Sequence, residues 1–344
     1  MIVDRKELVK ALNRVKPALG INVLVPTFQC FIFQNDRVVA TDGTMIIKAS
    51  CPDLQATFAI PGLSFLFLLE SLSSDTIELE LEDTRVLIKD KKIVGTFTLA
   101  QLSSIPQLLV CENMQEVSLE LYEGFQFCQY SVSKDSSVGP LCGVRVDGKD
   151  MFSTDRYRIA NFTAKENLLA NPCTLPIKLV QTILSFKKEI MKIGLIEDNQ
   201  IVIEMNDGTI LSSVLLRGEY KNLLQFIPPQ ETIVDNLDFP ASLNEILDRH
   251  ITLLKNIQTL DKEIRVVVEG TKCIFTSVDK DLGKLEEEVE LTNPVKQRIE
   301  FSVNPLFLKE IAPICNSLTY TTKGAILFVT EKLIYVVIEK QPKL

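Results

Sequence analysis

Histidine is nearly absent from this chain of 344 residues: His250 is the only one. Glycine is scarce as well, at 14, and no cysteine stands in a C-x-x-C pair. Each shortage closes off a class of chemistry. His250 lies beside Arg249 in a helical stretch with no evident Ser or Cys partner, so it reads as a packing or interface residue rather than a general base. The glycines form neither a G-x-x-x-x-G-K-S/T phosphate loop nor a G-x-G-x-x-G after a strand. The eight cysteines (30, 51, 111, 128, 142, 173, 273 and 315) are scattered singly with no companion His, which excludes a zinc site and a redox pair. They are expected to be reduced, largely buried thiols that act as small hydrophobes. Acidic residues do not cluster as a two-metal site requires. The chain is therefore read as non-enzymatic, with no catalytic residue, no metal and no cofactor. A nuclease or transferase with an unrecognised site is a distant alternative.

Long apolar runs are missing too. The strongest, Ala59 to Leu69, is interrupted by Pro61, Gly62 and Ser64 and is too short to span a bilayer. Met1-Ile2-Val3-Asp4-Arg5-Lys6 has no charged region followed by an apolar one, so no secretory signal is expected. A cytoplasmic protein without membrane contact follows. Hydrophobic residues at 46% and charged residues at 24% are ordinary for globular chains. The net charge of −8 argues, as a sum, against a protein that coats nucleic acid. Distribution matters more. Glu78-Leu79-Glu80-Leu81-Glu82-Asp83 alternates, as does much of Glu286–Leu291, which predicts strands with one acidic, solvated face.

What is present is a repeat. Val38-Val39-Ala40-Thr41-Asp42-Gly43-Thr44-Met45-Ile46-Ile47 runs strand, polar turn, strand, and Met151-Phe152-Ser153-Thr154-Asp155-Arg156-Tyr157-Arg158-Ile159-Ala160 runs the same way. A degenerate copy, Cys273-Ile274-Phe275-Thr276-Ser277-Val278-Asp279, follows. The recurring Asp42, Asp155 and Asp279 are explained by turn hydrogen bonding to the local backbone. Each copy leads to a Pro and an apolar helical stretch: Ile60-Pro61 into Leu63–Leu72, Leu175-Pro176 into Val180–Phe186, and Val303-Asn304-Pro305 into Leu306–Ile314. A period of about 115 residues is too long for a solenoid unit and fits a whole domain. Three tandem domains are expected, 1–113, 114–232 and 233–344, the last boundary marked by Pro228-Pro229-Gln230-Glu231.

Each domain reads as two helices on a sheet, an α+β unit. The first helix runs from Asp4 as N-cap to about Lys16, with Leu8, Leu12 and Val15 on one arc and Lys6, Lys10 and Arg14 on the opposite one. Unit two starts its helix around Tyr122–Ser133. Unit three opens with Ser242-Leu243-Asn244-Glu245, a capping-box pattern, followed by the apolar Leu243, Ile246, Leu247 and Leu254 and the cations Arg249 and Lys255. Lys178, Lys187, Lys188 and Lys192 lie on or just beyond the second helix of unit two. Strands are expected at 29–33, 38–40, 45–49, 55–60, 76–81, 85–89 and 94–99 of unit one.

Taken in order, these segments resemble a known family. Thr41-Asp42-Gly43-Thr44 and Thr154–Ala160 are similar to the T-D-G-x-R-L-A turn of the bacterial DNA sliding clamp, the beta subunit of DNA polymerase III. Phe58-Ala59-Ile60-Pro61 and Phe301-Ser302-Val303-Asn304 resemble that family's entries into its second helices. Arg217-Gly218-Glu219-Tyr220 through Phe226-Ile227-Pro228 looks like its G-x-F-P-D-Y…I-P segment, and Tyr335-Val336-Val337-Ile338 like its Y-V-V-M. Departures are Arg156 in place of Gly, Lys221 in place of Pro, a shorter chain, and a tail, Glu339–Leu344, without the usual apolar Pro-containing end. A divergent clamp of the kind a phage or mobile element encodes would look like this.

The resemblance implies a homodimeric ring of clamp domains closed head to tail, with helices around duplex DNA and sheets outside. It implies a processivity factor that binds DNA without reading sequence and tethers the polymerase and the clamp loader through short peptide motifs. Lys6, Lys10, Arg14, Lys178, Lys187, Arg249 and Lys255 would face DNA. The partner-peptide groove would comprise Leu141, Thr154, Tyr157, Arg158, Ile159, Phe226, Val336 and Ile338. Ile105, Ile251 and Leu254 would contribute to the dimer interface. The alternative is a non-catalytic clamp-fold scaffold that does not encircle DNA.

Overall fold

The computed structural model describes residues 1–21, 25–102, 111–186, 189–196 and 199–340. Its helices are α1 (Arg5–Val15), α2 (Gly62–Ser71), α3 (Leu119–Cys128), α4 (Ile177–Ser185), α5 (Leu243–Leu253) and α6 (Pro305–Ile311), and all strand pairs are antiparallel within sheets. The chain divides into two compact units, Met1–Tyr122 with Leu169–Arg217, and Glu123–Leu168 with Gly218–Leu344. Both contain part of the second sequence repeat.

In the first unit a small sheet pairs Ile2–Asp4, Thr76–Leu81, Arg85–Asp90 and Ile93–Thr98 in that order. A large sheet runs Ala56–Pro61, Cys30–Asn35, Arg37–Thr41, Met45–Ser50, Ile210–Val214, Gln200–Met205, Ile190–Ile196 and Gln115–Glu116. Two sequence repeats meet in it where Met45–Ser50 pairs with Ile210–Val214, Ile46 opposite Ser212. The acidic strand behaves as its alternation requires: Ile77 and Leu79 are buried, while Glu78 and Glu80 are exposed. Helix α1 starts where the sequence says it should. The Asp4 carboxylate accepts the backbone N–H groups of Lys6 at 2.8 Å and Glu7 at 3.0 Å, satisfying two of the free donors of the first turn. Leu8, Ala11, Leu12 and Val15 form its buried stripe. Helix α2 packs Phe65, Leu66 and Leu69 inward and leaves Leu63 and Phe67 exposed. Its first residue must be small, because a Cβ on Gly62 would meet Leu19 Cδ1 at 2.8 Å and the Gln29 carbonyl at 3.1 Å. Pro61 and Pro176 sit at the N-cap rather than inside the first turn, where only Pro305 lies.

In the second unit the large sheet carries Gly143–Asp147, Asp150–Thr154, Arg158–Thr163, Leu333–Ile338, Ala325–Val329, Ser317–Thr321 and Ile233–Asp238 in succession. A small sheet runs Gly283–Glu290, Lys272–Asp279, Ile264–Glu269 and Ile299–Val303. Glu286, Glu288 and Glu290 alternate outward on its edge strand, a placement of charge that discourages edge-to-edge association. Two local expectations fail. Helix α3 begins three residues before Tyr122, and the Ser242 hydroxyl makes no capping hydrogen bond. The backbone of Ser242, at φ −82° and ψ 4°, has already left the extended region that aims a cap side chain at the first turn.

The repeated aspartates do what a turn residue does. Asp42 Oδ1 accepts from the N–H groups of Thr44 and Met45, both at 2.8 Å. Asp155 Oδ1 accepts from Tyr157 and Arg158 at 3.0 and 3.1 Å, and Asp279 Oδ1 from Asp281 and Leu282, both at 2.9 Å. In the first two turns a threonine hydroxyl also accepts the N–H of the residue after the aspartate. Val278 at the corresponding place in the third cannot do so. Burial would raise the Asp42 pKa, but hydrogen bonds from Lys178, the Met45 N–H and Thr44 outweigh it and hold the carboxyl below its ordinary 3.8. A depressed acid contributes stability above its unfolded pKa and loses it as pH falls through the folded one. Asp42→Asn should therefore lower the urea midpoint at neutral pH, and the gap between variant and parent should close as pH falls below 3.8. A gap independent of pH would deny the carboxylate this role.

Candidate functional site

A groove of about 810 Å³ opens in the second unit, within the size range of ligand sites. Its floor is a strand seam. Arg158–Thr163 pairs with Leu333–Ile338, placing Ile159 opposite Val336 and Arg158 opposite Val337, and the next strand puts Ala325 opposite Ile338 and Leu327 opposite Val336. Side chains alternate along strands, so Ala325, Leu327, Val336 and Ile159 gather on one face and form a cluster with Ile227. A second wall is the 3-10 turn Leu223–Phe226 with Ile227, Pro228 and Pro229; Asn222 caps it by accepting the Leu224 N–H at 3.0 Å. Val138, Pro140 and Leu141 make a third. Phe226 and Ile338, each 55% exposed, are large apolar side chains left uncovered at this site.

Of the groove positions expected from sequence, Leu141, Thr154, Arg158, Ile159, Phe226, Val336 and Ile338 line this one cavity. Tyr157 does not. It is half exposed, and its carbonyl accepts the Ile338 N–H at 2.9 Å. Arg158 has a second task. Its guanidinium is buried, donating from Nε to Asp155 at 2.9 Å and from Nη1 to the Tyr335 hydroxyl at 2.9 Å, with further bonds to Glu310 and the Tyr130 carbonyl. It lies 4.0 Å above the Phe307 ring of α6, a cation–π arrangement. Burial pushes the Glu310 carboxyl above its usual range despite the attraction of Arg158. No motif announces Glu310 or Tyr130. They are parts of the site that sequence reasoning missed.

The cations expected to face DNA are less free than their helical spacing implies. Lys6 and Lys10 are exposed, with Lys6 2.7 Å from Asp75 and Lys10 3.5 Å from Glu7. Arg14 is largely covered: it pairs with Glu189 and, at 3.0 Å, with Asp207, and its guanidinium lies 5.4 Å from the Phe186 ring. Lys178 is bound to Asp42, and Arg249 embraces Glu287 at 2.6 to 3.0 Å. Lys255 is exposed and makes no ion pair among the described residues. Lys187 and Ile105 lie outside the described residues. Of the remaining expected interface positions, Ile251 is half-buried, but Leu254 is fully buried in its own unit. Leu254 is core, and the expectation of a surface contact there is corrected: the α5 stripe that carries it faces inward. His250 is likewise buried, its Nδ1 against the Ser277 hydroxyl, and burial lowers its pKa.

The repeated pairing of helices with antiparallel sheets defines the sliding-clamp fold. Superposition makes this explicit: the DNA polymerase III beta chain of Streptococcus pneumoniae matches with a TM-score of 0.83 at 16% identity, covering 99% of both chains. The beta subunit of Thermotoga maritima matches with a TM-score of 0.82 at 18% identity over the same shares. In sequence, the chain is similar to the beta sliding clamp of Chlamydia muridarum, 22% identical over 337 residues, covering 90% of this chain and 88% of that protein. No family model matches the chain. The chain thus has the fold of the bacterial beta sliding clamps and is similar to them in sequence at about a fifth of its positions.

Two substitutions test the local readings. Arg156 holds φ at 77°, where a side chain is strained and where Gly43 of the first turn has φ 89°. Arg156→Gly should raise unfolding stability by about 0.5–1 kcal/mol; a loss would show that the ion pair with Asp135 at 3.5 Å outweighs the strain. Arg14→Ala should lower stability by about 1–2 kcal/mol, because it strands two carboxylates in a partly covered site. Unchanged thermal unfolding would return Arg14 to the free cations.

Proposed function

We propose that this chain is a DNA polymerase processivity factor. It closes head to tail as a homodimer around duplex DNA and tethers the replicative polymerase and the clamp loader, which dock by short peptides. The observation that carries this reading is the clamp fold over 99% of the chain together with an apolar groove whose walls come from separate segments. Three clamp domains, 1–113, 114–232 and 233–344, fit the sequence repeat. The protein does no covalent chemistry and needs no cofactor. Its place is the cytoplasm, and among the described residues no helix is long and apolar enough to cross a membrane.

DNA would be held by a small set of cations on or just beyond the helices, Lys6, Lys10, Lys178 and Lys255, with Arg249 contributing while it holds Glu287. Such contacts neutralise phosphates without reading bases. Most of these cations already have a carboxylate neighbour, so the grip is weak and retention comes from ring closure. Dimerisation would join the first domain of one protomer to the third of its partner. Ile93 and Val94, 50% and 62% exposed on the edge strand Ile93–Thr98, support an interface at that edge.

The decisive experiment loads the protein on nicked circular DNA and then linearises it. Retention on the circle and loss from the linear form are expected, with a dimer mass at micromolar protein. A strictly monomeric mass at every concentration, or equal retention on both forms, would overturn the ring. Replacing Lys6 and Lys10 by Gln should reduce the slope of log affinity against log salt by about 1–2. An unchanged slope would place that face of α1 away from DNA.

A further inference from the structure

The groove has a charged rim that its apolar floor does not explain. Arg156, Lys221 and Lys323 line it from three separate segments, against one lining carboxylate with an exposed head, Glu219. Arg158 also lines it but is matched internally by Asp155 and Glu310. Lys221 and Lys323 are exposed and make no ion pair among the described residues, while Arg156 shares Asp135 at 3.5 Å. An excess of cations on the lip of a cavity is out of character for a chain of net charge −8. It is also held in place. The Asp155 turn fixes the backbone of Arg156, and Lys323 precedes Gly324, whose φ of 66° turns the chain between two strands of the groove sheet.

We infer that the groove selects peptides whose apolar anchors are flanked by carboxylates, with Lys221 and Lys323 as the main specificity-determining residues and Arg156 as a third. This rests on the proposal that the groove docks a peptide. The division of labour follows from burial. Ile159, Val336, Ile338 and Phe226 offer contact area for apolar anchors but do not distinguish one apolar peptide from another by charge. The rim cations stay in water and attract carboxylates at low cost in desolvation. Their contribution is set by geometry and by salt, since exposed charges are screened beyond about 8–10 Å at ordinary ionic strength. A neutral or basic flank gains nothing from them, and a basic one is repelled.

The test titrates the full-length protein with two synthetic peptides that share a core of alternating leucine and phenylalanine, one flanked by aspartates and the other by asparagines. At low salt the acidic peptide should bind about fivefold or more tightly, as two or three exposed ion pairs allow. The ratio should shrink as salt is raised. In a Lys221→Gln/Lys323→Gln double variant of unchanged mass and thermal midpoint, the ratio should fall towards one. Ile338→Ala, which removes an anchor and no charge, should weaken both peptides and preserve the ratio. Equal binding of the two peptides to the parent, with Ile338→Ala still weakening both, would overturn the charge selection and leave the docking groove standing. Failure of Ile338→Ala to weaken either peptide would remove the groove as the docking site, and the inference with it. A ratio that survives the double variant would assign the selection to other cations and overturn the roles given to Lys221 and Lys323.

Discussion

Two seams of backbone hydrogen bonds carry the rest of the structure. In the first unit Met45–Ser50 pairs with Ile210–Val214, and in the second Arg158–Thr163 pairs with Leu333–Ile338. A strand at a sheet edge presents unpaired N–H and C=O groups, and an unprotected edge invites association with another chain. Here the edge of one sequence repeat is covered by the edge of another, so the liability becomes the joint. The seam in the second unit also decides the groove. With Ile159 opposite Val336, the apolar residues of two strands from distant parts of the sequence face the same way. A slip of one residue would send Ile159 to the opposite face and replace it with Arg158 or Ala160.

Charge is arranged by the same economy. Acidic residues occupy exposed strand positions, where Lys89, Lys272 and Lys284 answer Glu80, Glu288 and Glu286 at 2.5 to 2.6 Å. Cations on the helices are mostly answered too, and Arg14 is answered twice. Exposed pairs of this kind add little stability each, because water and salt screen them. Their larger effect is to flatten the field that the protein presents to a polyanion.

What could be read from the sequence was local. The Asp4 cap, the inward phase of α1, the three aspartate turns and the strand alternation at 76–81 depend on residues within a few positions of one another, and periodicity reports them. Most positions that line the cavity could be named from sequence for a different reason, since they sit in motifs that the family resemblance already ordered. Arg158 shows the limit. Its partners Glu310 and Tyr335 are 152 and 177 residues away, and no local pattern links them. Arg14 misled because helical spacing says which arc a side chain occupies and not whether Glu189, 175 residues later, waits beside it. Leu254 misled for a related reason: an apolar residue at the end of a stripe looks the same whether it covers its own core or a partner. The repeat also did not foretell the two compact units. Its period counts sequence copies, whereas compactness follows the seams that join them.

The Arg158 cluster raises the question of why a charge is buried at all. A buried ion pair is weak evidence for stability, because removing two charges from water costs several kcal/mol per ion before attraction offsets it. The upward shift of Glu310 makes the point within this molecule: burial there outweighs the pull of the guanidinium. What the cluster supplies is discrimination among arrangements. Arg158 has five N–H donors in a rigid fork, and its bonds to Asp155, Tyr335, Glu310 and the Tyr130 carbonyl exist together only when the turn, the seam and α6 are all in register. Any slipped arrangement would leave a cation in the core with its partners missing, which is costlier than a misplaced methyl group. The residue that lies under the groove is thus also the one that penalises every fold in which the groove is not formed.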